Sequence, residues 1–226
     1  MTGATRLFTV LQHGDSFFPS GLTSFSCGLE QLFEEKRIAN TDSLRHFIEA
    51  ELRFRWASFD RAFLSASHRA AGDTAVLASI DRLCHVSIAA RELREGSTRA
   101  GQALLAVHAR LGTAGAQLYR AMISRDEAKG HLPVVQALLW GALGFSETEA
   151  TEVSAYSLVA SLAAAAIRLG LIGHVDAQKA IAGMAAVVEE IVNRPAPELG
   201  DAAAFTPATE IAAMRHEVAE HRLFAN

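Results

Sequence analysis

At 226 residues the chain is long enough to bury a substantial core within one domain, and half of its residues are hydrophobic while only 20% are charged. A formal charge of -4 argues against generic phosphate binding, which needs clustered Lys and Arg, so no nucleic-acid role is expected. Two cysteines, Cys27 and Cys84, make neither a disulfide framework nor a metal quartet. A mean hydropathy of +0.17 is high for this length, and some apolar surface is expected to be covered by another subunit or protein.

In chain order, residues 7–14 suit a short helix, and F-F-P-S-G-L-T then breaks the pattern at Pro19 and Gly21. Helical spacing resumes in S-F-S-C-G-L-E-Q-L-F-E-E-K, and Asn40-Thr41-Asp42 offers caps for the next helix. There Leu44, Ile48, Leu52, Trp56, Phe59, Phe63 and Ala66 recur every three or four residues, which predicts one long amphipathic helix. Gly72-Asp73 ends it, and Asp73-Thr74 caps another running to about residue 90. The segment R-E-L-R-E-G-S-T-R-A-G is polar with two glycines and reads as a loop, after which A-L-L-A-V-H-A-R-L is helical again.

The stretch from His131 to Gly173 organises the chain. Pro133 stands where a first helical residue would be, and Ser146 with Glu149 has capping-box spacing. From Val153 to Ile167 no residue is charged, so this helix is expected at the centre of the protein, surrounded by others. The run stops at Arg168, short of the roughly 20 residues a bilayer span needs. Residues 175–194 suit a further helix with its apolar residues on one side. N-R-P-A-P-E-L-G-D-A-A-A-F-T-P then holds three of the five prolines and cannot be regular helix. Thr206 and Pro207 open a last helix with Ile211, Met214 and Val218 as a narrow apolar stripe. The expected fold is all-α: a single-domain helical bundle over 1–192, then a linker and a tethered C-terminal helix over 193–226. The N-terminus has no secretion signal, so a cytoplasmic protein is expected.

The search for chemistry finds little. In H-E-V-A-E-H the histidines His216 and His221 are five apart, on opposite helix faces, so one helix cannot present both to one ion. Solvated polar residues or a partner-contacting face is the reading preferred there. G-S-T-R-A-G-Q lacks the Lys and Ser/Thr of a phosphate loop. His131 is expected to meet solvent or satisfy a helix terminus, Cys27 to be a small buried hydrophobe, and Arg168 either to cap its helix or to face an interface.

Three segments resemble the UreF family of urease accessory proteins. The first is D-S-F-F-P-S-G-L-T-S-F-S-C-G-L-E, where Pro19, Gly21, Ser26, Gly28, Leu29 and Glu30 match the family's Pro-x-Gly and Ser-x-Gly-Leu-Glu. The second is G-H-L-P-V-V with Tyr156-Ser157 and I-R-L-G-L-I-G-H-V-D-A-Q; the third is Arg215, His216 and Glu217 with Arg222, Leu223 and Phe224. Phe18, Ser20, Leu22, Thr23, Leu171 and His174 depart from the family's commoner residues. The resemblance implies an all-α homodimer that is not an enzyme. It implies binding to UreD (UreH), recruitment of the GTPase UreG, and delivery of nickel to apo-urease, with nickel as cargo and no cofactor or metal site of its own. Glu30, Arg168, Arg215, His216, Glu217, Arg222 and Phe224 are the expected partner-binding residues. Glu30 and Arg168 are expected on partner-facing surfaces, and removal of residues 207–226 is expected to leave a folded dimer. An all-α metal-dependent enzyme and a helical regulator binding small ligands are the alternatives.

Overall fold

The computed structural model describes residues 3–15, 17–19, 25–219 and 223–224, and all regular structure among them is helical. Helices α1 (Gly3–Gly14) and α2 (Leu29–Glu34) precede α3 (Thr41–Glu51), which runs unbroken through a π-helical segment (Leu52–Asp60) into α4 (Arg61–Arg69). Next come α5 (Thr74–Ser87), α6 (Arg91–Leu111), α7 (Ala116–Ser124), α8 (Leu132–Ala142) and α9 (Glu147–Arg168). Helices α10 (His174–Gly183) and α11 (Ala185–Val192), a short turn (Leu199–Asp201) and α12 (Pro207–His216) complete the chain.

Local chemistry starts these helices where the sequence places the signals. The Asn40 side chain accepts from Ser43 N–H at 2.9 Å, while Ser43 Oγ accepts from Asn40 N–H at 3.1 Å. Asp73 accepts from the N–H groups of Ala75 and Val76, and Ser146 with Glu149 forms the reciprocal box ahead of α9. The stripe through α3, the π segment and α4 is the core face: Leu44, Ile48, Leu52, Trp56, Phe59 and Phe63 are at most 2% exposed.

Helix α9 is central as its composition demands. It packs against α1, α2, α3, the π segment, α4, α8, α10 and α11. It is long and apolar enough to cross a membrane, yet 61% of its most apolar window is buried inside the protein, as in a core helix. Helix α8 is buried almost all round, continuously from Pro133 to Trp140, and wedges between α4 and α6.

Three expectations change. Residues 91–101 are not a loop but the first half of the 21-residue α6. Gly101 serves close packing rather than turning: a Cβ there would lie 2.1 Å from the Gly130 carbonyl oxygen. The helix expected over 175–194 divides at Met184 into α10 and α11. The last helix ends at His216, short of Val218, and is packed into the body rather than tethered. Ala212 enters the apolar cluster of Leu29, Ala165 and Phe224, while Ala213 enters the cluster of Phe59, Leu93 and Leu139. Deleting α12 would therefore open both clusters, and removal of residues 207–226 is not a clean truncation.

Candidate functional site

Residues from all three motifs converge where α12 meets α2. The chain enters α2 through two left-handed residues, Cys27 (φ 51°) and Gly28 (φ 78°). Only glycine fits the second comfortably, because a Cβ there would lie 3.0 Å from the Thr209 carbonyl oxygen and 3.3 Å from Ala212 Cβ. The Ser-x-Gly-Leu-Glu segment thus forms the seat on which α12 lies. The inner face of α12 is small and polar, with Thr209, Ala212, Ala213 and His216 each at most 2% exposed.

Glu30, in the first turn of α2, is the hub. Its Oε1 accepts from Leu223 N–H at 2.6 Å, and its Oε2 from Phe224 N–H at 3.1 Å. The same Oε2 lies 3.0 Å from His216 Nε2, and His216 Nδ1 lies 3.0 Å from Glu92 Oε1 on α6. An imidazolium donates at both nitrogens and would satisfy both carboxylates. The Arg168 guanidinium, exposed at the end of α9, stacks over the Phe224 ring at 4.1 Å from its centroid. Around this centre Arg215 pairs with Glu35 at 2.9 Å, and Glu217 pairs with Arg91. Hydrogen bonds from Gln31 and then Arg215 hold the Glu35 carboxyl below its ordinary range. Nearby, Thr209 Oγ1 donates to Glu51, whose carboxyl burial pushes up to about 7.

Six of the seven expected residues therefore lie at one place, and Arg222, like His221, lies outside the described residues. Their roles differ from the expectation in two cases. Glu30 is 3% exposed, so its side chain faces inward and anchors residues 223–224 instead of meeting a partner directly. His216 is 1% exposed, not a solvated surface group. The outward residues are Ile211 (47% exposed), Met214 (49%) and Val218 (82%), with Leu223 (54%) beside Phe224. Glu92, which completes the cluster, falls in the segment whose polar composition suggested a loop.

A second buried network shapes the floor under α8. Asp81 accepts from the N–H groups of Lys129, Gly130 and His131 at 2.6–2.9 Å and from the Tyr119 hydroxyl at 3.0 Å. His131 is fully buried, not solvent-facing, with Nδ1 3.1 Å from Ser97 Oγ and Nε2 3.0 Å from His85 Nδ1. Burial chiefly lowers its pKa to about 4, which leaves the ring neutral. Cys27 is half-buried, and burial pushes its thiol up to about 12, so it is no nucleophile at neutral pH.

Known proteins share this arrangement of sequence. The UreF family model matches residues 38–185. The urease accessory protein UreF of Trichodesmium erythraeum (strain IMS101) is 30% identical, over 96% of this chain and 95% of that protein. UreF of Bacillus sp. (strain TB-90) is 31% identical over 97% and 98% respectively, and that of Agrobacterium fabrum 28% over 99% and 97%. The family model spans α3 to α10, the relatives align over nearly the whole chain, and the chain belongs to the UreF family of urease accessory proteins.

Proposed function

We propose that this chain is a non-catalytic scaffold of urease maturation. In this reading it bridges UreD (UreH) and the GTPase UreG, and the assembly delivers nickel to apo-urease as cargo, with no cofactor held by the chain itself. The compartment proposed is the cytoplasm.

One observation carries the proposal: apolar side chains stand outward on an element whose inner face is locked. Ile211 and Met214 on α12, and Val218 just past its end, are exposed, while His216 in its last turn is fixed between Glu30 and Glu92. Apolar groups on a pre-ordered helix bind with little entropic cost, which suits an interface anchor. A homodimer is proposed on the same grounds from Leu7, Phe8 and Leu11 of α1, which are 59–79% exposed.

The test is co-purification of UreD with the double variant Met214→Glu, Val218→Glu. Both positions are exposed, so the melting temperature should hold while UreD capture and urease activation fall at least tenfold. Undiminished capture would remove α12 from the interface. Light scattering of the chain alone reads the dimer, and Phe8→Glu should shift it to monomer.

A further inference from the structure

Two opposite charges lie inside the protein with no side-chain hydrogen bond to any described residue. Arg55 Nε and Asp60 Oδ2 meet only as an ion pair at 3.6 Å, with side chains 13% and 23% exposed. Both line one recess of about 100 Å³ whose walls come from the π segment, α6, α8, α9 and, ahead of α2, Phe25 and Cys27. Such a volume has room for several waters, and so for a ligand of about five heavy atoms.

The π segment makes this pair possible. Residues five apart on an α-helix stand about 140° apart around the axis. With i→i+5 bonding, at roughly 4.4 residues per turn, the same spacing leaves only about 50° between them. Arg55 and Asp60 therefore open onto one space. Other polar groups in the wall are already engaged: Trp56 Nε1–H donates to Ser154 Oγ at 3.2 Å, which donates to Gln136 Oε1 at 3.1 Å. The hydroxyls of Ser157 and Ser161 donate to α9 carbonyls.

We propose that this recess binds a small planar primary amide, its carbonyl oxygen accepting from Arg55 and its NH2 donating to Asp60. A guanidinium offers only donors and a carboxylate only acceptors. A ligand satisfying both needs an acceptor and a donor side by side on one planar group. The Cys27 thiol in the wall is uncharged, its pKa pushed up to about 12, so the recess has no net charge and favours neither anions nor cations. Leu93, Ala100, Leu132 and Leu158 complete an apolar wall for a methyl or short alkyl group.

The experiment is a titration of the full chain with acetamide, acetate and methylammonium, read by the Trp56 indole N–H signal in 15N-edited NMR. Acetamide should shift that signal with a Kd on the order of 1 mM, the weak affinity a four-atom ligand allows. Acetate and methylammonium should bind at least tenfold more weakly. Asp60→Asn exchanges one acceptor oxygen for an NH2 donor and removes the balancing charge, so acetate should gain affinity while acetamide loses it at least fivefold. Ala100→Leu fills the recess from α6 without touching either charge and should abolish the acetamide shift. An unmoved indole signal, equal binding of all three probes, or acetamide binding that survives Ala100→Leu would show that the recess holds only water.

Discussion

Glu30 and Phe224 stand 194 positions apart in the chain and share a hydrogen bond, Phe224 N–H donating to Glu30 Oε2 at 3.1 Å. The other oxygen takes Leu223 N–H at 2.6 Å, so one carboxylate fixes two consecutive backbone groups and faces His216 as well. Glu30→Gln keeps the shape but replaces one acceptor by an NH2 that points at a donor. A buried N–H then loses its partner, at a cost of about 1–3 kcal/mol. The expected result is a lower melting temperature and faster hydrogen exchange at Leu223 and Phe224. Wild-type exchange at those amides would mean that the carboxylate is not their anchor.

Buried imidazoles set the acid limit of stability. His108 is fully buried, and desolvation followed by the neighbouring His13 lowers its pKa to about 4; desolvation does the same to His131. Above pH ~6.5, the ordinary histidine value, both rings are neutral folded or unfolded. As pH falls from there towards 4, the unfolded chain takes up protons that the folded chain refuses. Stability drops by about 1.4 kcal/mol per pH unit for each ring. Glu51 acts with the opposite sign: its folded pKa of about 7 means the folded chain holds a proton between pH 7 and its ordinary range near 4.5. Two losses against one gain predict that stability at pH 5 lies about 2 kcal/mol below that at pH 6.5. Urea unfolding across this range checks it. His108→Leu should flatten the profile and Glu51→Gln should steepen it; a flat wild-type profile would contradict the assignment.

Close approach between α6 and the turn before α8 rests on one missing methyl. A Cβ on Gly101 would meet the Gly130 oxygen at 2.1 Å and Leu132 N at 2.9 Å, both backbone atoms that cannot swing aside. Gly101→Ala must push the turn away and loosen the amides that Asp81 holds, for about 1–3 kcal/mol or more. Gly183→Ala is the control, since nothing lies within 4 Å of its Cβ and its φ is not positive. That change should be neutral or stabilising by about 0.4–1 kcal/mol. Equal melting temperatures for the two variants would refute the packing argument.

What the sequence disclosed, and what it hid, divides by range. The stripe from Leu44 to Phe63 was legible because burial repeats with the helix period, and the caps at Asn40, Asp73 and Ser146 because their partners lie two or three residues away. Gly101 misled: alone it reads as a helix breaker, and its reason, the Gly130 carbonyl, lies in another element. Glu92 was missed because its partner His216 is 124 positions away, beyond any local pattern. Helix α12 misled in a different way. Behind a Pro-rich linker it read as tethered, whereas close seating on Gly28 selects small residues on its inner face, packs it into the body and leaves Ile211 and Met214 outside.

Arg61 ties the end of α11 to the long helix, and that contact reaches the linker before α12. It is 6% exposed, its Nη1 donating to the Ile191 carbonyl at 2.7 Å and its Nη2 to those of Val192 (3.3 Å) and Arg194. The first two carbonyls end α11, where the last C=O groups of a helix lack i+4 donors, and a cation there interacts favourably with the helix dipole. The segment that follows is held by the π segment, Ala203 N–H donating to Ser58 O at 3.1 Å and Phe205 N–H to Phe54 O at 2.7 Å. Lysine carries its charge at a single nitrogen and cannot fork across several carbonyls. Arg61→Lys should therefore cost about 1.5–3 kcal/mol. It should also speed hydrogen exchange at Ala203 and Phe205 while leaving the amides of α5 unchanged. Loss of stability with unchanged exchange at Ala203 and Phe205 would confine Arg61 to capping α11, and unaltered stability would deny it even that role.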